Sequence, residues 1–99
     1  MKKIALLCAA GMSTSLLVQK MREAAKEMGF ECEIDAHPVA EAKEVGEHAD
    51  VMLLGPQVRY ELKKTQSLVS CPVDVIDMAA YGTMNGKKVV EQAIKLMGC

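Results

Sequence analysis

The chain has 99 residues, of which 51% are hydrophobic and 25% charged, and its formal net charge is −1. This length and composition indicate one compact domain over residues 1–99 and exclude a disordered chain. The near-neutral charge and the low aromatic content of 3% argue against a nucleic-acid-binding protein. The apolar segments are too short to span a membrane, so we expect no membrane insertion and a cytoplasmic location.

The first half of the chain alternates strand and helix patterns. Residues 3–7 predict a strand rather than a secretion signal, because the apolar run stops at Gly11 and an amphipathic helix follows over residues 13–28. Gly29 predicts the end of that helix. Residues 30–36 alternate apolar and acidic side chains, which is typical of a strand at the edge of a sheet. The nearly continuous apolar run over residues 50–54 is typical of a central strand.

The second half continues the alternation. A short polar helix is predicted over residues 41–47, and Pro56 is suited to the first turn of a helix whose inner face includes Val58, Leu62 and Val69. A strand over 73–76, a turn or short helix over 77–81 and a helix over 86–97 complete the chain. Four such units predict an α/β fold: a single three-layer domain with a four-stranded parallel sheet in the order 2-1-3-4 and helices on both faces.

Ligands of such sheets bind beyond the carboxyl ends of the strands, here at the switch point between the first and third strands. Three segments are expected to converge at this edge, residues 8–13, 55–57 and 77–82. Gln57 and Tyr81 lie in the second and third of these segments and are candidate rim or partner contacts.

The loop Cys8-Ala9-Ala10-Gly11-Met12-Ser13-Thr14-Ser15 joins the first strand to the first helix. A helix start offers unpaired N–H groups and a partial positive charge, and these donors favour both an anion and the thiolate form of a nearby cysteine. Glycine permits a close backbone approach, and three hydroxyls add donors. Cys8 is therefore the candidate catalytic nucleophile, and the candidate phosphate-binding residues are Ala10, Gly11, Met12, Ser13, Thr14 and Ser15. From spacing alone, a buried structural cysteine with Ser13 as helix cap is an equal alternative.

A resemblance favours the first interpretation. The segment Leu7-Cys8-Ala9-Ala10-Gly11-Met12-Ser13-Thr14-Ser15-Leu16-Leu17 resembles the active-site loop of lactose/cellobiose-type IIB components of the sugar phosphotransferase system (PTS). The likeness continues in residues 49–58 and 72–77 and in Tyr81-Gly82. It implies a phosphotransferase whose Cys8 accepts a phosphoryl group from a histidine of the IIA component. The group then passes to a sugar of the β-linked disaccharide class bound by the membrane IIC component. A monomer when free and no cofactor are further expectations.

Two other functions stay open. A low-molecular-weight cysteine phosphatase has a related sheet and a C-x5-R loop, but Thr14 stands where the phosphate-clamping arginine would be. Asp77 is suited either to the general acid that such an enzyme needs or, in the interpretation we favour, to capping the next helix. The second alternative is a regulatory module in which the loop only senses an anion.

The remaining cysteines and the histidines give weaker signals. No CxxC motif or Cys/His cluster occurs, so no metal site is expected and free thiols are the default. His37 and His48 have no visible orienting partner, and we expect them to be exposed to solvent rather than to be phosphohistidines.

Overall fold

Strands and helices alternate through the part of the chain that the structure, a computed structural model, describes, namely residues 1–9 and 14–98. The strands are β1 (Lys2–Cys8), β2 (Cys32–Pro38), β3 (Val51–Leu54) and β4 (Val73–Val75). The α-helices are α1 (Thr14–Met28), α2 (Ala42–Gly46), α3 (Leu62–Leu68), α4 (Met78–Gly82) and α5 (Gly86–Met97). Turns of 3-10 helix, Val39–Glu41 and Pro56–Glu61, precede α2 and α3.

The four strands form one parallel sheet in the order β2-β1-β3-β4. Ile4 of β1 lies opposite Ile34 of β2 on one side and Val51 of β3 on the other, and Met52 lies opposite Val73 of β4. The predicted fold class and strand order are confirmed. Because all strands are parallel, their carboxyl ends meet at one edge, where the predicted site lies.

Helices cover both faces of the sheet, so the domain has three layers. Side chains of the central strands alternate between two apolar clusters, as the pleat requires. The first cluster, under α1 and α5, includes Ile4, Leu6, Val51 and Leu53, and the second, under α2 and α3, includes Ala5, Leu7, Met52 and Leu54. All eight side chains are buried, which explains why β3 reads as an unbroken apolar run.

The second strand begins two residues later than predicted, because Phe30 is part of the cap that ends α1. The N–H of Phe30 donates to the carbonyl of Ala25 at 2.9 Å, and Gly29 has φ of +70°. These features form the glycine-based cap that closes many helices, so Phe30 belongs to the cap. Ala36, on the apolar side of the predicted alternation, is exposed at the edge strand.

The third helix differs from its prediction in its first turns. Pro56 opens a 3-10 segment rather than an α-helix, and Val58 within it has non-helical φ and ψ of −119° and 24°. Val58 is buried and Leu62 is half-buried, as expected. Val69 already has extended geometry and follows the helix end, yet it still packs against the second apolar cluster.

Candidate active site

Cys8 is the last residue of β1 and lies between two other strand ends. It pairs with Pro38 on one side, while its neighbour Leu7 pairs with Leu54 of β3 on the other. Cys8 is only 6% exposed. Strand alternation directs it to the face of the sheet that carries α1. Cys8 is therefore a buried thiol at the carboxyl edge of the sheet.

The Cys8 sulfur has a described contact with the edge strand. Its Sγ lies 3.9 Å from the main-chain carbonyl oxygen of His37, a distance that suits a weak S–H···O hydrogen bond. A carbonyl oxygen only accepts, so this contact offers no donor to the oxygens of a phosphoryl group. Hydrogen-bond donors for an anion have to come from other groups at this edge.

Most of the predicted phosphate-binding loop lies outside the described residues. This applies to Ala10, Gly11, Met12 and Ser13, and Thr14 enters only as the first residue of α1. Ser15 lies exposed in the first turn of α1. The described helix begins at Thr14, six positions after Cys8 and one residue after the predicted start, while the binding role of these residues stays a prediction.

The second converging segment is anchored directly beside Cys8. The N–H of Gly55 donates to the carbonyl of Leu7 at 2.8 Å, which continues the sheet pairing by one residue past β3. Gln57 is exposed and its Nε2 donates to the Tyr81 hydroxyl at 3.1 Å. The structure therefore brings Gln57 and Tyr81, two candidate rim residues, into direct contact.

The third converging segment is held by side chains that bond to the backbone. Asp77 caps α4: its Oδ2 accepts from the N–H of Ala80 at 3.0 Å. From α5, Gln92 Oε1 accepts from the Asp77 N–H at 3.2 Å, and its Nε2 donates to the carbonyl of Val75 at 2.8 Å. The carboxylate of Asp77 thus has the capping role that the sequence favoured. The contribution of Gln92 was missed, since nothing in the spacing marks a helix residue fifteen positions away as a partner.

The histidines lie to one side of this edge. His37 is less exposed than expected, with 36% of its side chain accessible, and its Nδ1 lies 3.7 Å from Oε1 of Glu41, four residues later in the chain. His37 and the exposed His48 line a cavity of about 340 Å³ that also includes Lys3 and several acidic residues but not Cys8. Within residues 1–9 and 14–98, no group of three or more His, Cys, Asp or Glu side chains is arranged to hold a metal ion.

Two further thiols lie away from the carboxyl edge. Cys32 begins β2, and Cys71 lies just before β4. Burial raises the pKa of the Cys32 thiol, and burial is also the largest cause of the raised pKa of Cys71. At neutral pH both are held as thiols, so neither is set up as a nucleophile.

Comparison with known proteins identifies the family of this chain. The family model for the lactose/cellobiose-specific IIB subunit of the PTS matches residues 3–92. The chain is 51% identical over 100 residues to the oligo-beta-mannoside-specific EIIB component of Bacillus subtilis, covering 98% of this chain and 97% of that protein. It is 47% identical over 104 residues to the galactose-specific EIIB component of Lactococcus lactis subsp. cremoris, with coverages of 97% and 96%.

Solved structures agree with this assignment. The solution structure of the cellobiose-specific IIB component from Borrelia burgdorferi superposes with a TM-score of 0.81 at 38% identity, covering 98% of this chain and 92% of that one. YwlE of Bacillus subtilis, at 16% identity and a TM-score of 0.52, covers 98% and 94% and shows the shared low-molecular-weight phosphatase fold. No helix of residues 1–9 and 14–98 has the length and apolar character to cross a membrane. The chain belongs to the lactose/cellobiose-specific IIB family of the PTS, whose EIIB components are phosphotransferases.

Proposed function

We propose that the protein relays a phosphoryl group through Cys8, from a phosphohistidine of a IIA component to a sugar bound by a membrane IIC component. The placement of Cys8 carries this proposal. It is a buried thiol at the carboxyl end of β1, six residues before the start of α1, in a chain of the IIB family. Membership of that family implies IIA and IIC partners.

The relay consists of two substitutions at phosphorus. The Cys8 thiolate, having released its proton, attacks in line, and the S–P bond forms as the N–P bond to the IIA imidazole breaks. A sugar hydroxyl then attacks the same phosphorus, so an O–P bond forms, the S–P bond breaks and the thiolate leaves. The hydroxyl proton passes to solvent or to a neighbouring base. Neither step requires a metal ion or a cofactor of this chain.

Charge on the transferring group has to be met by donors of the loop after Cys8. The one described contact of the sulfur is an acceptor, the His37 carbonyl, so it offers nothing to phosphoryl oxygens. We assign this task to Ala10, Gly11, Met12, Ser13, Thr14 and Ser15, whose backbone N–H groups and hydroxyls precede or open α1.

Transfer rather than hydrolysis is supported by two residues. Thr14 stands in place of the arginine that clamps phosphate in cysteine phosphatases of the C-x5-R type. Asp77, the candidate general acid, is engaged as the cap of α4 through its contact with Ala80. Incubation with p-nitrophenyl phosphate tests this choice, and brisk turnover would refute the carrier proposal.

The direct test is transfer of phosphate to the intact protein. With phosphoenolpyruvate, the general phosphotransferase proteins and IIA, we expect intact mass spectrometry to show one added phosphoryl group. Cys8→Ser should abolish the label, while the matched variants Cys32→Ser and Cys71→Ser should retain it. A label that persists in Cys8→Ser, or that maps to His37 or His48, would contradict the proposal. An unlabelled wild-type protein would favour an anion-sensing module.

We propose that IIA and IIC dock on the carboxyl edge of the sheet. Large apolar side chains are exposed on the segments that follow three of the strands: Leu16 in the first turn of α1 after β1, Tyr60 (77% accessible) after β3 and Met78 (60% accessible) after β4. Isolated apolar residues at a protein surface are common, but three around one edge suit a partner that must reach Cys8.

The sugar and the cellular setting complete the proposal. Relatives at 51% and 47% identity are named for oligo-beta-mannosides and for galactose, so the family alone leaves the sugar open. We propose a β-linked disaccharide, with the specificity residing mainly in IIC. A monomer in the cytoplasm suits a protein that presents the same edge to two partners in turn and depends on a reduced thiol.

A further inference from the structure

We propose that Gln57 is a positioning residue for the phosphoryl transfer, acting through the hydroxyl of Tyr81. This inference rests on the proposed relay through Cys8. The observation behind it is the hydrogen bond from Gln57 Nε2 to the Tyr81 hydroxyl, at 3.1 Å. The two residues are 24 positions apart in the chain, so the bond ties together two of the loops that converge beside Cys8.

The position of Gln57 is fixed relative to β1. Gly55 continues the pairing of β3 with β1 by donating to the carbonyl of Leu7, the residue just before Cys8. The Gln57 side chain folds back over Gly55, so that a Cβ at residue 55 would lie 2.5 Å from Gln57 Oε1 and 3.1 Å from its Cδ. The missing side chain of Gly55 therefore provides the space in which the Gln57 amide lies.

The position of Tyr81 is fixed from the other layer of the domain. Its N–H donates to the carbonyl of Asp77 at 2.9 Å, and Asp77 is held in turn by Gln92 of α5. The ring is half-buried against the apolar cluster under α1 and α5. Gln57 lies in the 3-10 segment between β3 and α3, which packs on the layer of α2 and α3. The Gln57–Tyr81 bond thus crosses the carboxyl edge of the sheet, from one helical layer to the other.

The direction of this bond gives it a chemical role. The amide of Gln57 is the donor, so the Tyr81 oxygen is the acceptor and its own hydrogen points to a different group. At an edge that receives phosphate, a fixed phenolic O–H is a donor for phosphoryl oxygens. Loss of Gln57 removes one of the contacts that orient this hydroxyl, so the hydroxyl spends less time in the productive direction.

Gly55→Ala tests the inference without removing any polar group. Gly55 has φ of −61° and ψ of 148°, which alanine adopts without strain, and the three atoms nearest to the added Cβ all belong to the Gln57 side chain. The substitution should therefore displace the Gln57 amide and little else. Gln57→Ala removes the same amide directly. Gln66→Ala is the matched control, because Gln66 is another exposed glutamine but bonds to Val73 at the opposite end of β4.

We would measure the rate of Cys8 phosphorylation against the concentration of phospho-IIA. Gly55→Ala and Gln57→Ala should each lower kcat about 2- to 10-fold, the effect of one hydrogen bond, with KM for phospho-IIA unchanged and Gln66→Ala at the wild-type rate. Adding Gly55→Ala to Gln57→Ala should lower kcat no further. In a Tyr81→Phe protein, Gln57→Ala should leave kcat unchanged.

Three results would overturn the role of Gln57: a wild-type kcat in Gln57→Ala, a loss in KM alone, or an unchanged effect of Gly55→Ala when Gln57 is absent. Equal thermal unfolding midpoints of the variants would exclude a general loss of structure as the cause. The failure of the relay is distinguishable, because a wild-type protein that takes no phosphoryl group on Cys8 would refute the proposed function itself. A labelled wild-type protein with an unaffected Gln57→Ala would refute only the present inference.

Discussion

Gly86 lies at a close approach of α5 to α1, and replacing it with alanine should destabilise the protein. A Cβ at this position would lie 2.4 Å from the main-chain carbon of Lys20, 2.5 Å from its oxygen and 2.6 Å from the nitrogen of Met21. These are backbone atoms and cannot rotate away. To restore ordinary contacts near 3.4 Å, the two helices would have to separate by about 1 Å, which forfeits a quarter to a half of the local dispersion energy.

The cost follows from the packing around this contact. Val89, Val90 and Ala93 of α5 are fully buried against the α1 layer, so a shift of α5 disturbs the whole cluster. Overpacking of this kind costs about 1–3 kcal/mol of unfolding free energy. For a domain of this length, each kcal/mol lowers the thermal midpoint by roughly 4–8 °C.

Gly82→Ala is the matched control for this experiment. Gly82 is also a helical glycine without positive φ, and a Cβ there meets no atom within 4 Å. Alanine at position 82 should therefore raise the unfolding free energy by about 0.4–1 kcal/mol through the unfolded state. Thermal unfolding followed by circular dichroism should thus move the two variants in opposite directions. A Gly86→Ala protein as stable as wild type would refute the close approach of the two helices.

Three further predictions concern the edge and the thiols. Asp77→Ala should lower the unfolding free energy by about 1 kcal/mol through loss of the α4 cap, and Asp77→Asn should retain most of it in the same urea titration. Burial raises the pKa of Cys32 and Cys71, so their alkylation by iodoacetamide should accelerate only above the pH at which an unfolded thiol ionises. Peptide mass mapping measures this labelling, and rapid labelling of either cysteine at pH 7 would contradict the prediction. Met78→Ala should raise KM for phospho-IIA with kcat unchanged, whereas Met28→Ala, at the amino-terminal edge of the sheet, should leave both parameters at wild-type values.

The fold could be predicted from local patterns because the sheet imposes them. The strict alternation after Phe30 indicated an edge strand, and the unbroken apolar run over Val51–Leu54 indicated a strand buried on both faces. The errors lie at element ends. Phe30 was assigned to a strand because the capping hydrogen bond to Ala25 leaves no mark in an apolar pattern, and the 3-10 turn at Pro56 reads like the first turn of an α-helix.

The site was predictable only in part. Its position followed from topology, since the ends of β1, β3 and β4 meet at one edge, and Gln57 and Tyr81 were both placed there. Their mutual hydrogen bond and the bracing by Gln92 depend on how the helical layers dock, which no spacing rule encodes. The same is true of the His37 carbonyl beside Cys8, because it depends on the register of β2.

If Cys8 carries the phosphoryl group as proposed, its burial would help to protect the phosphocysteine from water. Cys8 is only 6% exposed and lies at the carboxyl end of a strand that is paired on both sides. In the proposed relay, the donor imidazole and the acceptor sugar approach Cys8 in turn at this edge, and each partner excludes water from the edge while it is docked. Hydrolysis is then disfavoured by access as well as by the lack of an arginine at position 14. The hydrogen bonds from Gly55 to Leu7 and from Ile76 to Leu54 hold this edge in register, so the stability of the sheet and the protection of Cys8 depend on the same contacts.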